Sequence, residues 1–290
     1  MVKLVLGIVP ELMYNKDKHM TSNIKEIKSR DGFTYWIEAG DTLYEQRFIV
    51  GSWQKRNLDY ASTLIDNWTR CLDVGSNMAC SAVLYSQVFQ NVECFEPTPL
   101  NIDLWKRTIG ANNIANCVLH EVGVGEKNYT TEIICHERNN GHNHLTHYDK
   151  NPRADPERSS RSRVQVDVKT IDSYNFQDVG FIKFDIEGYE KFALEGAVDT
   201  ITRCRPTLQL EIRANQCRKF GYWAEDMIEW IRDLGYTVMS KNTGEMDGTF
   251  KSHRNDLYYN GEVLRREMDI FFQPNERMRH SQFKQLFEQA

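Results

Sequence analysis

The stretch Cys71-Leu72-Asp73-Val74-Gly75-Ser76-Asn77-Met78-Ala79 decides the fold. It starts as a short apolar strand, passes an acid and a glycine, and continues as the first turn of a helix. In an open α/β sheet such a turn lies at the carboxyl end of a strand, where small ligands bind. Gly75 permits the sharp bend, and the backbone N–H groups that follow it can hold an anionic group.

A second acid ends the next predicted strand. The run Val92-Glu93-Cys94-Phe95-Glu96-Pro97 places Glu96 twenty-three residues after Asp73. An acid about that far beyond a glycine turn commonly binds ribose hydroxyls. The pair Asp73 and Glu96 therefore predicts a nucleoside-bearing cofactor. The alternative is an ordinary strand–helix turn followed by a surface acid.

The turn favours one cofactor over another. A dinucleotide site uses G-x-G-x-x-G, whose second glycine makes room for the pyrophosphate. Here Asn77 and Cys80 replace the second and third glycines, which disfavours NAD. S-adenosylmethionine has no phosphate; it needs an acceptor and N–H donors for its amino-acid end and a carboxylate for its ribose. We therefore predict that Asp73, Gly75, Ser76, Asn77 and Glu96 bind this cofactor. An NAD-dependent nucleotide-sugar oxidoreductase remains the alternative.

Composition restricts the class of protein. With 290 residues, 40% of them hydrophobic, the chain can form one large domain. Its net charge of −5 argues against nonspecific nucleic-acid binding. The seven cysteines include no C-x-x-C pair, so we interpret them as thiols in a reducing compartment; those at positions 71, 94, 135 and 204 are predicted to be buried. No apolar run has the length of a membrane span. We expect a soluble, cytoplasmic enzyme with no nucleic-acid partner.

The order of predicted elements indicates an α/β fold. Strands and helices alternate after residue 68, which predicts a mostly parallel sheet with helices on both faces. The run Phe181–Ile186 is typical of a buried parallel strand, and a closing strand pair predicts an antiparallel edge. We divide the chain into an N-terminal extension (1–55), a catalytic domain (56–274) and an amphipathic C-terminal helix (275–290). That helix could cap the core or join a partner, such as a second copy of the chain in a homodimer.

A polar loop interrupts the alternation between residues 128 and 168. It includes the histidines His142, His144 and His147 and, after them, the arginines Arg153, Arg158, Arg161 and Arg163. A loop of this length in a compact domain is more often functional or disordered than neutral. The histidines could act as a base or contact an acceptor, and the arginines could meet an acidic group. The alternative is a solvated surface loop.

The ordered motifs resemble the FkbM-like family of S-adenosylmethionine-dependent methyltransferases. The matching segments are 73–77, 95–99, 122–126, 170–172, 182–190, 194–197, 205–206 and 211–212. The resemblance covers about residues 68–260, with Ala79 where the family usually has glycine. It implies a class I fold: a doubly wound, mostly parallel seven-stranded Rossmann-like sheet, which we expect to carry one antiparallel edge strand, with the N-terminal extension outside it. It also implies that the cofactor site includes Pro97, Val122, Gly123 and Asp185.

The chemistry is expected at the ends of two neighbouring strands. Methyl transfer from a sulfonium is an in-line displacement that needs mainly proximity and orientation, and a hydroxyl acceptor also needs a base. Asp185 and Glu187 end one strand, Glu211 ends the next, and Lys183 lies two residues before Asp185. We predict Asp185, Lys183, Glu211 and His144 as catalytic residues.

Three alternatives remain open at these positions. Lys183 could be half of a buried ion pair that only stabilises the sheet. Asp185, Glu187 and Glu211 could bind Mg²⁺, although we do not expect a metal. The protein could also bind its cofactor without catalysis. The predicted function is O-methylation of a sugar, glycan or other small-molecule hydroxyl.

Overall fold

The computed structural model describes residues 24–51, 54–135, 143–146, 162–241, 244–253, 255–264 and 268–277. In these ranges the strands are β1 (Ile24–Lys28), β2 (Thr34–Glu38), β3 (Arg70–Val74), β4 (Asn91–Phe95), β5 (Cys117–His120), β6 (Gly123–Val124), β7 (Tyr129–Cys135), β8 (His144–Leu145), β9 (Ser162–Lys169), β10 (Val179–Phe184), β11 (Thr207–Ile212), β12 (Tyr236–Ser240), β13 (Gly244–Glu245), β14 (Phe250–His253), β15 (Asp256–Tyr259), β16 (Glu262–Leu264) and β17 (Met268–Pro274). The helices are α1 (Thr42–Val50), α2 (Lys55–Ala61), α3 (Cys80–Tyr85), α4 (Pro99–Ala111), α5 (Glu190–Glu195), α6 (Val198–Cys204), α7 (Ala214–Lys219) and α8 (Ala224–Asp233), with a 3₁₀ turn at Ile171–Tyr174.

A mixed sheet forms the centre of the molecule. Within the described ranges it has eight strands in the order β13-β12-β17-β11-β10-β3-β4-β5. Five neighbours, β11, β10, β3, β4 and β5, run parallel, which confirms the α/β fold. Their carboxyl ends therefore meet at one edge of the sheet.

The position of the reversed strand corrects the predicted sheet. β17 is antiparallel to both β11 and β12, so it lies inside the sheet and not at its edge. The eighth strand, β13, is also antiparallel and forms that edge. Ile270, Phe271 and Phe272 explain the interior position, because all three are fully buried although successive residues of a strand face opposite sides. Both faces of β17 must therefore be covered. A position between two other strands, inside the sheet, meets this requirement better than a position at the edge.

Four of the described strands form a second sheet, in the order β6-β9-β7-β8. Three of them, β7, β8 and β9, come from the segment around 128–168 that was predicted to interrupt the alternation. The sequence pattern predicts a single strand over 116–124, but the structure has two, since β5 belongs to the central sheet and β6 to the second one. The chain leaves the central sheet after His120, where the N–H of Val122 donates to the His120 carbonyl at 2.8 Å. The second sheet packs Ile133, Leu145 and Val168 into the same core as β3 and β10.

The described residues 24–51 pack against α3 and α4. Backbone N–H groups of β2 donate to the side chains of Asn112 at 2.9 Å and Thr108 at 3.0 Å, both at the end of α4. Tyr35 and Phe48 stack at 4.1 Å and join the core formed with α3 and α4. The short apolar run at residues 1–10 predicts a further strand, and it lies outside the described residues.

Several local boundaries differ from the predictions. The apolar spacing from Leu58 to Trp68 predicts a helix that reaches Trp68, but α2 ends at Ala61. The run 79–89 likewise predicts a crossover helix, and the structure has the shorter α3. The seven cysteines are free thiols, but Cys135 and Cys204 are half-buried and not buried as predicted. Only residues 275–277 of the predicted C-terminal helix are described, and they are helical. No helix in the described ranges is long and apolar enough to cross a membrane.

Gly196, which caps the end of α5, tests how the second sheet packs against this helix. A Cβ at this position would lie 2.0 Å from the Gly125 carbonyl oxygen, which follows β6. We expect Gly196→Ala to lower the free energy of unfolding by about 1–3 kcal/mol in urea denaturation, because neither backbone can yield freely. The matched control is Gly110→Ala, at an exposed helical position with no atom within 4 Å. It should raise stability by about 0.5–1 kcal/mol. Equal effects of the two substitutions would contradict this packing.

Candidate functional site

An open cleft lies at the carboxyl ends of β3, β4 and β10. Nine of the residues singled out from the sequence line it: Gly75, Asn77, Glu96, Pro97, Val122, Gly123, His144, Asp185 and Glu187. The four others, Asp73, Ser76, Lys183 and Glu211, do not line it. The cleft thus lies where parallel α/β sheets bind ligands.

Gly75 brings the first turn of the site against the end of β10. Its φ is +82°, and a Cβ on it would lie 2.0 Å from the Asp185 carbonyl oxygen. The N–H of Asp185 donates to the Val74 carbonyl at 3.1 Å. Only glycine fits between these backbones, so the turn and Asp185 have a fixed separation.

Asp73 supports the turn from inside the protein and does not face the cleft. Its side chain is fully buried, accepting a hydrogen bond from Ser76 Oγ at 2.8 Å and facing Lys183 Nζ at 3.4 Å. Ser76 Oγ in turn accepts from Trp105 Nε1 at 3.1 Å. These bonds show that Asp73 and Ser76 stabilise the turn. Their contact with a cofactor stays a prediction.

Glu96 joins the two turns that form the wall of the cleft. Its carboxylate accepts the N–H of Asn77 and the N–H of Thr98, each at 2.9 Å. Burial raises the pKa of Glu96 above its ordinary value, although these hydrogen bonds oppose the shift.

Asp185 is the charged group at the cleft. Its side chain is 21% exposed and lies 3.2 Å from Lys183 Nζ. Burial alone would raise the pKa of Asp185, but the Lys183 charge and a hydrogen bond with Glu211 outweigh it and hold that pKa below its ordinary value. Burial and the Asp185 charge raise the pKa of Glu211 well above its ordinary value. These opposite shifts favour the ionised form of Asp185 and the protonated form of Glu211.

Lys183 is held between two carboxylates. It is 3% exposed, with Asp73 on one side and Asp185 on the other. Burial would lower its pKa, but Asp185 and Asp73 together raise that pKa above the ordinary lysine value. A protonated lysine cannot accept a proton, so the geometry favours the ion-pair alternative over the role of base.

Glu187 has a strained backbone in the wall of the cleft. Its φ is +58°, a region that costs a residue with a Cβ about 1 kcal/mol or more. Arg213 Nη1 and Gln216 Nε2 both donate to Glu187 Oε2 at 3.0 Å. These two bonds hold the side chain and so over-determine the strained turn that follows Asp185.

The three carboxyls at this corner meet the spacing of a metal site but not its chemistry. One oxygen each from Asp185, Glu187 and Glu211 lies within 4.8 Å of the others. However, Arg213 donates to Glu187 and, at 3.2 Å, to Glu211, while Lys183 faces Asp185. Mg²⁺ prefers oxygen ligands in an octahedron that includes several waters. Two protein cations are already paired with these carboxylates, so the three side chains do not fit Mg²⁺ as ligands. We therefore assign no role in the reaction to Mg²⁺.

His144 lies on the opposite wall of the cleft. It is the first residue of β8, is half-buried, and lies edge-on to Phe220 with 6.4 Å between the ring centres. The predicted residues His142, His147, Arg153, Arg158 and Arg161 lie outside the described residues. Arg163 is described, and it pairs with Glu132 at 3.1 Å across β7 and β9, away from the cleft.

Sequence reasoning missed three residues of the site. Arg213 could have been found, because it follows Glu211 by two positions and so leaves the strand on the same side. Asn101 lines the cleft from the first turn of α4, where nothing in the helical pattern distinguishes it. Tyr44 approaches from α1, and no motif connects it to the turn that it reaches.

The family comparison agrees with this geometry. A family model described as the methyltransferase FkbM domain matches residues 73–238, from Asp73 in β3 to Val238 in β12. The chain belongs to the FkbM methyltransferase family. S-adenosylmethionine dependence is general to methyltransferases of this class. No curated relative matches the chain.

Solved structures resemble this FkbM-family chain at a distance. A methyltransferase FkbM from Methylobacillus flagellatus KT is 17% identical, with a TM-score of 0.40 over 70% of this chain and 43% of its own length. This chain thus spans less than half of that protein. An rRNA methylase from Streptococcus thermophilus is 10% identical (TM-score 0.43; 76% and 94% covered). TYW2 of M. jannaschii, in complex with AdoMet, is 8% identical (TM-score 0.39; 89% of each chain).

Glu190 holds the turn that carries Asp185 and Glu187. Its Oε1 accepts the N–H of Ile186 at 3.1 Å and of Gly188 at 3.2 Å. Burial raises the pKa of Glu190 from 4.5 to about 7, because water cannot solvate the ionised form. The unfolded chain ionises near pH 4.5, so this group lowers stability progressively as the pH rises from 4.5 through 7.

We therefore expect Glu190→Gln to stabilise the FkbM-family protein at alkaline pH. The amide keeps the acceptor oxygen and removes the buried charge. The free energy of unfolding should exceed that of the wild type by about 1–3 kcal/mol at pH 8, and the difference should shrink toward pH 5. Glu195→Gln, an exposed position on the same helix, is the control for urea denaturation at both pH values. A difference that does not change with pH would contradict the buried charge.

Proposed function

We propose that this chain transfers the methyl group of S-adenosylmethionine to a hydroxyl of a sugar, a glycan or another small molecule. The observation that carries the proposal is the position of the Asp185 carboxyl, which is paired with Lys183, held beside the Gly75 turn and open to the cleft. A fixed negative charge at this place suits both the positive sulfonium of the cofactor and the proton of an acceptor hydroxyl. The family match supports the transferase chemistry, and the hydroxyl acceptor is our inference.

The wall formed by β3 and β4 suits the cofactor. In this proposal Glu96, at the end of β4, receives the ribose hydroxyls. Phe95, Val122 and Val124 supply an apolar surface for the adenine ring. The close approach of Gly75 to Asp185 then places the methyl-bearing sulfur near the end of β10.

The reaction would proceed as an in-line displacement. The acceptor oxygen attacks the methyl carbon while the carbon–sulfur bond breaks, and S-adenosylhomocysteine leaves. Asp185 accepts the hydrogen bond of the hydroxyl and orients its lone pair toward the methyl group. A carboxylate with a lowered pKa is a weak base, but the proton becomes strongly acidic as the new carbon–oxygen bond forms. The proton can therefore pass to Asp185 late in the transfer, while Lys183 and Glu211 keep that carboxylate in place.

The sequence also left two other functions open. The first, an NAD-dependent oxidoreductase, is disfavoured because the chain belongs to a methyltransferase family. A cofactor-binding protein without catalysis would use the same cleft, and it would bind S-adenosylmethionine without labelling any acceptor. His144, on the opposite wall, is the second candidate for contact with the acceptor.

The role of Glu96 can be tested by its removal. Glu96→Ala should weaken the binding of S-adenosylhomocysteine by about 10- to 150-fold in isothermal titration, because hydrogen bonds to a carboxylate contribute about 1.5–3 kcal/mol. Glu121→Ala removes an exposed carboxylate paired with Lys106 outside the cleft and should leave the affinity unchanged. Thermal unfolding would verify that both variants are folded. If a folded Glu96→Ala bound with wild-type affinity, the assignment of the ribose site would be wrong.

Asp185→Asn keeps the shape of the side chain and removes its charge. Methyl transfer from labelled S-adenosylmethionine should fall by about 10²–10⁴-fold, the range for a positioned acid–base group. The affinity for S-adenosylhomocysteine, whose sulfur is neutral, should stay within about threefold, because its hydrogen bonds do not involve this charge.

The matched control is Asp199→Asn, at an exposed position on α6. It should transfer methyl groups at the wild-type rate. A lower melting temperature of Asp185→Asn with full turnover in its folded fraction would show that Asp185 only anchors the sheet.

A further inference from the structure

Tyr44 reaches the cofactor turn from outside the family-matching residues 73–238. It lies in α1, and its hydroxyl accepts a hydrogen bond from Asn77 Nδ2 at 3.3 Å. The side chain is 6% exposed and its ring packs against Phe48. Asp41, the N-cap of α1, accepts the N–H of Tyr44 at 3.2 Å. The hydroxyl therefore has a fixed position relative to the turn.

Asn77 has an incomplete set of hydrogen bonds. Its N–H donates to Glu96, its Nδ2 donates to Tyr44, and it lines the cleft. Its Oδ1 is shielded from solvent, with no donor among the described residues. A buried amide oxygen left without a donor is costly, so a ligand that supplies an N–H would bind favourably there.

The backbone explains why asparagine can occupy this position. Asn77 has a φ of +50°, in the left-handed region that asparagine tolerates better than most residues with a Cβ. Glycine would fit the same backbone but would contribute no acceptor. The second glycine of a dinucleotide turn is thus replaced by a residue that keeps the bend and adds a carboxamide.

We propose that Tyr44 is a positioning residue that orients the Asn77 carboxamide, so that Asn77 Oδ1 accepts a hydrogen bond from the ammonium of the cofactor's amino-acid end. An ammonium has three donors and no acceptor, which matches an oxygen that has no donor in the protein. The N-terminal segment therefore completes the cofactor site. This inference rests on the proposed function, because it presumes that S-adenosylmethionine occupies the cleft.

Two ligands separate a positioning role from a structural one. S-adenosylhomocysteine carries the amino-acid end, and 5′-methylthioadenosine has the same nucleoside and sulfur without it. Tyr44→Phe should weaken S-adenosylhomocysteine by about threefold to tenfold in isothermal titration, the effect of one neutral hydrogen bond. Its affinity for 5′-methylthioadenosine should stay within about twofold, because that ligand lacks the ammonium. Tyr60→Phe is the control, since it removes a hydroxyl that donates to the Ser240 carbonyl at 3.1 Å, and it should leave both affinities unchanged.

A double-mutant cycle tests whether Tyr44 acts through Asn77. Asn77→Gly removes the carboxamide without backbone strain, and adding Tyr44→Phe to it should cause no further loss of S-adenosylhomocysteine affinity. An independent, additive loss would overturn the proposal, as would equal weakening of both ligands by Tyr44→Phe or unchanged affinity for both. If the wild-type protein bound neither ligand, the proposed function itself would fail, and this result is distinct from the others.

Discussion

The ion pair at the centre of the sheet is the constraint on which the site depends. Lys183, almost fully buried, lies 3.4 Å from Asp73 and 3.2 Å from Asp185, and so links the ends of β3 and β10. Burying a lysine is unfavourable unless carboxylates compensate for the lost hydration. Because Lys183 must have such partners, it holds Asp73 beneath the Gly75 turn and keeps Asp185 ionised at the cleft. A single buried cation thus determines both the shape of the turn and the charge that faces a ligand.

Close backbone contacts around this pair make the cleft rigid. Gly75 lies directly against the Asp185 carbonyl, and Glu187 has a left-handed backbone that Arg213 and Gln216 hold in place. Strained residues of this kind persist only where the surrounding structure over-determines them, and they concentrate at functional sites. In methyl transfer from an activated cofactor, orientation is the main contribution of a protein. The strained turn and the buried Glu190 beneath it both lower the stability of the fold. This loss is consistent with a turn that is built to orient reactants.

The sequence predicted the elements that bring the site together, because parallel strands end at the same edge of a sheet. Glu96, Asp185 and Glu211 could be assigned to one region from strand order alone. The pattern could not show that Asp73 turns inward, since the alternation of a fully buried strand does not distinguish its two faces. Likewise, the interior position of β17 depends on how both of its apolar faces are covered. Tyr44 is brought to the turn by the packing of α1 on the core, which no local motif records.

Identification of the atom that receives the methyl group tests the central claim most directly. Incubation of the wild-type protein with ¹³C-methyl S-adenosylmethionine and an extract of the source cells, followed by NMR of the labelled product, would identify that atom. The account predicts a labelled methoxyl group, formed at a hydroxyl that Asp185 can orient. A label on nitrogen, carbon or sulfur would contradict it, and so would the absence of any labelled product from a protein that binds the cofactor.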